Sequence, residues 1–192
     1  GLAMRVDKLT TKLQEAFSDA QSIAVGKDHN QITPLHLITA QFRQTGGSIK
    51  PILRQMGVDL AAFESELTHL IDQLPVVKEN VGDIQVSLEL GRLLNLADKY
   101  SQQNGDQFIT SEMVLLAATE DKGSLGELFK KHQIRKESLE RVISHVRGGE
   151  SVSDPNAEDT RQALSKYTVD LTELAESGKL DPVIGRDEEI SR

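Results

Sequence analysis

The sequence predicts an all-α protein: two tandem four-helix units packed with pseudo-twofold symmetry, then a linker and a short opening segment of another domain. Three observations carry this. Apolar residues recur at steps of three and four through most of the first 147 positions. The chain resembles itself at an offset of 77 residues, for example Ile32-Thr33-Pro34 against Ile109-Thr110-Ser111. Aromatic residues make up only 4%, with no Trp, so a core of Leu, Ile, Val, Ala and Met favours helices over sheets.

The first helix is read from Leu9, Leu13, Ala16, Phe17, Ala20, Ile23 and Ala24, one face of a 3.6-residue repeat, with Gly26 as its stop. Thr33-Pro34 then supplies an N-cap and a proline at the first helical position, opening a helix over 35–42. Gly46-Gly47 breaks it. A short helix over 49–56 ends at Gly57, and Asp59 caps a fourth that carries Leu60, Phe63, Leu67 and Leu70 up to Pro75.

The second unit follows the same plan. Helices are predicted over about 87–103, 111–120, 125–132 and 136–146. His36-Leu37-Ile38-Thr39-Ala40 aligns with Met113-Val114-Leu115-Leu116-Ala117. With one residue dropped, Leu53 aligns with Phe129, Val58 with Ile134, Phe63 with Leu139 and Leu67 with Ile143. Ser124 and Glu127 have capping-box spacing. Each unit is too small to bury its apolar faces alone, so the two are expected to share one core over 4–147. A seam between repeats is a natural place for a groove.

After Arg147-Gly148-Gly149 the periodicity fails. Residues 148–165 have the Gly, Ser, Asp, Pro and Asn content of a flexible linker, and 166–192 read as the start of a further domain. Gly1 to Ala3 precede Met4 and are expected to be a vector remnant. The net charge of −8 is uneven: up to Arg147 it is −2, and residues 148–192 carry −6. No basic stripe exists, which argues against nucleic-acid binding. No apolar run is long enough to span a membrane, and no signal peptide is read near the start. With no Cys, disulfides and thiolate metal sites are excluded, which fits a cytoplasmic location. The five histidines lack ligand spacing, so no metal is expected.

Several stretches carry a family resemblance. Asp7-Lys8-Leu9-Thr10, Pro34-Leu35-His36-Leu37, Gly105-Asp106-Gln107-Phe108-Ile109 and Arg147-Gly148-Gly149-Glu150 resemble the amino-terminal Clp repeat domain of the ClpB family of AAA+ protein disaggregases. Tyr167-Thr168-Val169-Asp170-Leu171-Thr172 and Gly178 to Arg186 resemble the start of that family's first nucleotide-binding domain. The resemblance implies that Val183, Ile184 and Gly185 would lie over an adenine, with ATP and Mg²⁺ bound by the full-length protein. No G-x-x-x-x-G-K-[ST] run occurs in these 192 residues, so they are expected neither to hydrolyse ATP nor to hold a cofactor alone.

The resemblance also implies a role in recognising exposed apolar segments of unfolded or aggregated polypeptides. In the whole protein a homohexameric motor would thread them, in cooperation with a DnaK-type chaperone system; these residues alone are expected to be monomeric. It assigns Thr10, Ser87, Asp106 and Glu112 as polar substrate contacts and Leu94 and Met113 as a partly exposed apolar groove. The residues themselves also allow structural roles. Thr10 could face solvent inside the first helix, Ser87 could be an N-cap, Asp106 belongs to an Asn-Gly-Asp turn, and Glu112 suits a helix first turn. Leu94 and Met113 could be core. An adaptor-docking domain of a proteolytic Clp ATPase is the rival reading. No nucleophile–base set supports an enzyme.

Overall fold

The computed structural model describes residues 6–77 and 84–158. The expected remnant at 1–3, the segment 166–192 with Val183, Ile184 and Gly185, and linker residues 159–165 lie outside the described residues.

Among the described residues, eight α-helices form in the predicted order. They are α1 (Thr11–Gly26), α2 (Pro34–Arg43), α3 (Ile49–Gln55), α4 (Leu60–Asp72), α5 (Leu88–Gln103), α6 (Ser111–Ala118), α7 (Ser124–Lys131) and α8 (Lys136–Arg147). The starts follow the capping chemistry in the sequence. The Asp59 side chain accepts from the Ala62 N–H, Ser87 from Leu90 and Thr110 from Met113. Thr10, allowed as an interior helical residue, is instead the N-cap of α1 and accepts from the Leu13 N–H.

The start of α7 departs from the sequence reading. Ser124 is the first helical residue and Gly123 the cap. The side-chain cap comes instead from Asp121, whose Oδ2 accepts from the Gly123 and Gly126 N–H groups at 2.9 Å each. A carboxylate from the preceding loop outcompetes a cap within the helix, because it reaches two donors at once and faces the positive end of the helix.

Two short parallel pairings, not foreseen, tie the repeats together. Strands β1 (Gln31–Ile32) and β2 (Gln85–Val86) pair with Ile32 opposite Val86. Leu9 makes an isolated parallel bridge with Ile109. The offset of 77 converts one into the other, since it carries Leu9 to Val86 and Ile32 to Ile109. The pairings are images under the pseudo-twofold axis. The caps they precede are also equivalent: Thr10 with Ser87, and Thr33 with Thr110.

The helices enclose one shared core. Phe42 (α2), Phe63 (α4) and Phe129 (α7) stack with centroid separations of 5.7 and 5.9 Å, so aromatic packing crosses the repeat boundary. The Gln41 side-chain amide, 1% exposed, donates across the same boundary to the Ser111 carbonyl at 3.1 Å. Nine of the ten residues of α2, from Pro34 to Phe42, and all of α6, are buried, which makes these two the central helices.

Residues 148–158 do not behave as the free linker expected from composition. They belong to the same compact unit as the helices, which closes at Glu158. Gly148 (φ 63°) and Gly149 (φ 85°) both take left-handed backbone, which reverses the chain after α8 at little steric cost. The segment then runs across one end of the domain.

Candidate functional site

The site is built at the paired N-termini of α1 and α6. The Ile109 N–H donates to the Lys8 carbonyl at 2.8 Å and the Thr10 N–H to the Ile109 carbonyl at 3.0 Å, which sets the two caps side by side. First-turn N–H groups lack partners within their helix. Two such groups, on Thr11 and Ser111, face outward together here.

Arg147, the last residue of α8, fastens this end. Its Nε donates to Glu112 Oε1 at 3.1 Å and its Nη2 to Thr110 Oγ1 at 3.0 Å. Its Nη1 lies 3.0 and 2.8 Å from the two oxygens of Asp106. Arg147 is 8% exposed, and Asp106 and Glu112 are also buried. Burial works against the charge of Arg147, but Glu112 and Asp106 more than offset it and hold the guanidinium above its usual pKa.

Residues 150–158 lie over these groups, irregular through 153 and then turning at 154–156. The Val152 N–H donates to Asp106 Oδ1 at 2.8 Å, and the Val152 carbonyl accepts from the Gln107 N–H at 2.7 Å. The Pro155 carbonyl accepts from the Thr11 N–H at 2.9 Å, and Asn156 Oδ1 from Thr11 Oγ1 at 2.7 Å. Glu158 enters the cap pair itself. Its Oε2 accepts from the Ser111 N–H at 3.1 Å and from the Thr10 hydroxyl. Burial, and next the nearby Glu112 charge, push the Glu158 carboxyl up to about 7.

The six residues assigned by resemblance therefore separate. Thr10, Asp106 and Glu112 come together under the 150–158 segment. Ser87 does not join them, because it caps α5 at the pseudo-equivalent end. There it neighbours Thr33, whose N–H donates to His36 Nδ1 at 2.9 Å. His36 Nε2 in turn donates to His29 Nδ1 at 2.9 Å. Burial, then the His29 ring, lowers His36 to about 4, so this pair is neutral and structural.

Leu94 and Met113 are each 2% exposed and sit in the core cluster, so the expected partly exposed groove is not formed by them. The groove was implied by the resemblance, whereas the helical spacing of both residues, which also allowed a core role, turns their side chains inward. An open, polar cleft between α3 and α8, lined by residues including Met56, Arg135, Arg141 and His145, contains none of the six. Among the described residues, no group of three or more His, Asp or Glu side chains is placed to hold a metal ion.

Sequence reasoning missed Thr110, Ser111, Arg147 and Glu158 as parts of the site. Thr110 and Ser111 had a signal, since they align with the Thr33-Pro34 cap. Arg147 was noticed only as part of a boundary motif. Nothing local marks Glu158, which is one of eleven acidic residues after position 147.

Residues 8–132 match the model for the Clp repeat (R) N-terminal domain, about two thirds of the chain. The chain belongs to this family. Over 189 residues the Clp repeat chain is 56% identical to the chaperone protein ClpB of Pseudomonas putida, covering 98% of this sequence and 22% of that one. The ClpB resemblance read from motifs thus extends along the whole chain, which spans about a fifth of the length of such relatives. Among solved structures, the N-terminal domain of Hsp104 from Candida albicans superposes with a TM-score of 0.71 at 21% identity, over 79% of this chain and 99% of that one. A ClpV N-domain, in a complex with a VipB peptide, superposes with a TM-score of 0.63 at 18% identity, over 78% and 93%. These confirm the all-α Clp repeat fold.

Proposed function

We propose that this chain is the substrate-recognition domain of a cytoplasmic, ATP-driven disaggregase. In this reading it captures unfolded or aggregated polypeptides and passes them to a hexameric threading motor formed by the remainder of the protein. ATP and Mg²⁺ would be bound there, and a DnaK-type chaperone system would cooperate. The family and the 56% identity to a chaperone protein ClpB support the setting. A ClpV N-domain complexed with a VipB peptide supports peptide binding by this fold.

One observation carries the site assignment: Thr10, Thr11, Asp106, Gln107 and Ser111 hold a polypeptide segment through six hydrogen bonds, three of them to its backbone. The backbone half of these contacts makes little demand on sequence, as capture of varied unfolded chains requires. The recognition unit in this reading is the cap pair with the buried position of Val152, in place of a Leu94–Met113 groove.

Amide-shift titration of the chain with a soluble, permanently unfolded polypeptide tests the reading. Shifts clustered at residues 8–12, 104–113 and 147–158 are expected. Shifts confined to the α3–α8 cleft would relocate the site. Binding to a folded adaptor alone would favour the docking role.

A further inference from the structure

We propose that residues 150–158 are a displaceable occupant of the α1–α6 cap pair, a strap that must leave before another polypeptide segment docks in its place. The inference rests on the reading above and adds how access to that site is controlled. It also states what the site selects. The incoming segment offers an N–H and a C=O near Asp106 and Gln107, a carbonyl for Thr11, and a carboxyl for Ser111 and Thr10.

The pseudo-symmetry shows that this end, unlike its twin, is built to accept a ligand. At the opposite cap pair the position equivalent to Ser111 is Pro34, which has no N–H to offer. The Thr33 N–H there is satisfied internally by His36. Here Ser111 keeps its N–H, and Met113 stands where His36 would. The donors on Thr11, Gln107 and Ser111 are answered by the strap. Only Val152 and Glu158 are buried among residues 151–158, so two anchors hold a mostly exposed segment. The strap hangs from the left-handed pair Gly148-Gly149, where a Cβ would meet nothing within 4 Å. A segment with few buried apolar contacts opens at low cost compared with the core.

The chain has no Cys, so a unique lock can be installed. A Cβ placed on Gly105 lies 3.9 Å from the Ser151 Cβ, inside the disulfide range. The Gly105→Cys/Ser151→Cys chain, oxidised and reduced, is compared with the unaltered chain and with the strap-loosened Val152→Ser/Glu158→Ala chain. The probe is fluorescent, reduced and carboxymethylated α-lactalbumin, a permanently unfolded polypeptide. Oxidation is expected to weaken binding about tenfold and reduction to restore it, while the loosened chain binds about tenfold tighter, since the closed fraction taxes affinity. Equal binding by all forms overturns the strap and leaves the polypeptide reading intact. Binding by none overturns that reading and the strap with it. Hydrogen exchange on the unaltered chain is a check that needs no variant. The Thr11, Gln107 and Ser111 amides are expected to exchange well before the core amide of Leu115. Equal protection would overturn the proposal.

Discussion

Arg147 shows how one side chain sets the character of the site. Its planar fork meets Glu112, Asp106 and Thr110 at 2.8–3.1 Å with little exposure. Arg147→Ala leaves two buried carboxylates without their cation and is expected to cost roughly 3–5 kcal/mol in denaturant unfolding. Arg147→Lys should rescue little, because a point charge cannot reproduce the fork. Glu158 makes the opposite contribution. Its raised pKa means that the docked strap holds a proton that a released strap, near its ordinary value of 4.5, gives up. Docking is therefore fullest below pH 4.5 and weakens as pH rises through about 7. The site's other charged groups are Glu112 on α6, Asp106 before it and Arg147 on α8. Glu112 opposes the Glu158 carboxylate, and Arg147 is already committed to Glu112 and Asp106. The Ser111 and Gln107 amide shifts should move toward released values between pH 5 and 8, and Glu158→Gln should flatten that profile. A flat profile in the unaltered chain would refute it.

At the scale of the element, the helix starts decide geometry more than the helix interiors do. The start of α7 is the clearest case. Asp121 folds back over Gly123 and Gly126, and a Cβ on Gly126 would lie 1.9 Å from the Asp121 carbonyl oxygen. The contact is with backbone, so no side chain can step aside. Gly126→Ala is expected to destabilise the domain by roughly 1–3 kcal/mol, read as a lower denaturant midpoint with an unchanged m-value. Sequence inspection found the start of this helix but assigned its cap to Ser124. The spacing of Ser124 and Glu127 was a true pattern. A loop carboxylate three residues earlier won, and its reach depends on a turn that no local pattern specifies.

Across the whole molecule, the two repeats are stable as one body because their apolar faces meet. Phe63 lies between Phe42 and Phe129 and is edge-on to His132 at 5.4 Å. Phe63→Ala is expected to cost about 3–5 kcal/mol. Both repeats should still melt in a single transition, since the cavity would lie in the shared core. Two separate transitions would contradict a shared core. The parallel pairings reinforce this. Each joins the start of one repeat's first helix to the start of the other's second, so neither repeat has a complete end by itself.

Helix number, order and most boundaries were legible because they rest on local rules: 3.6-residue periodicity, caps at Asp59 and Ser87, and stops at glycine. The repeat was legible because self-comparison at an offset of 77 needs no geometry. Motifs along the chain also carried the family. Three things required the tertiary structure. Leu94 and Met113 are buried because facing helices cover them, and spacing alone cannot tell a covered face from an open one. Ser87 parts from Thr10 because the pseudo-twofold axis sends equivalent caps to opposite ends. Composition marks residues 148–158 as linker, yet Val152 and Glu158 are buried, because backbone donors left over at two helix starts are worth satisfying wherever a chain can reach them.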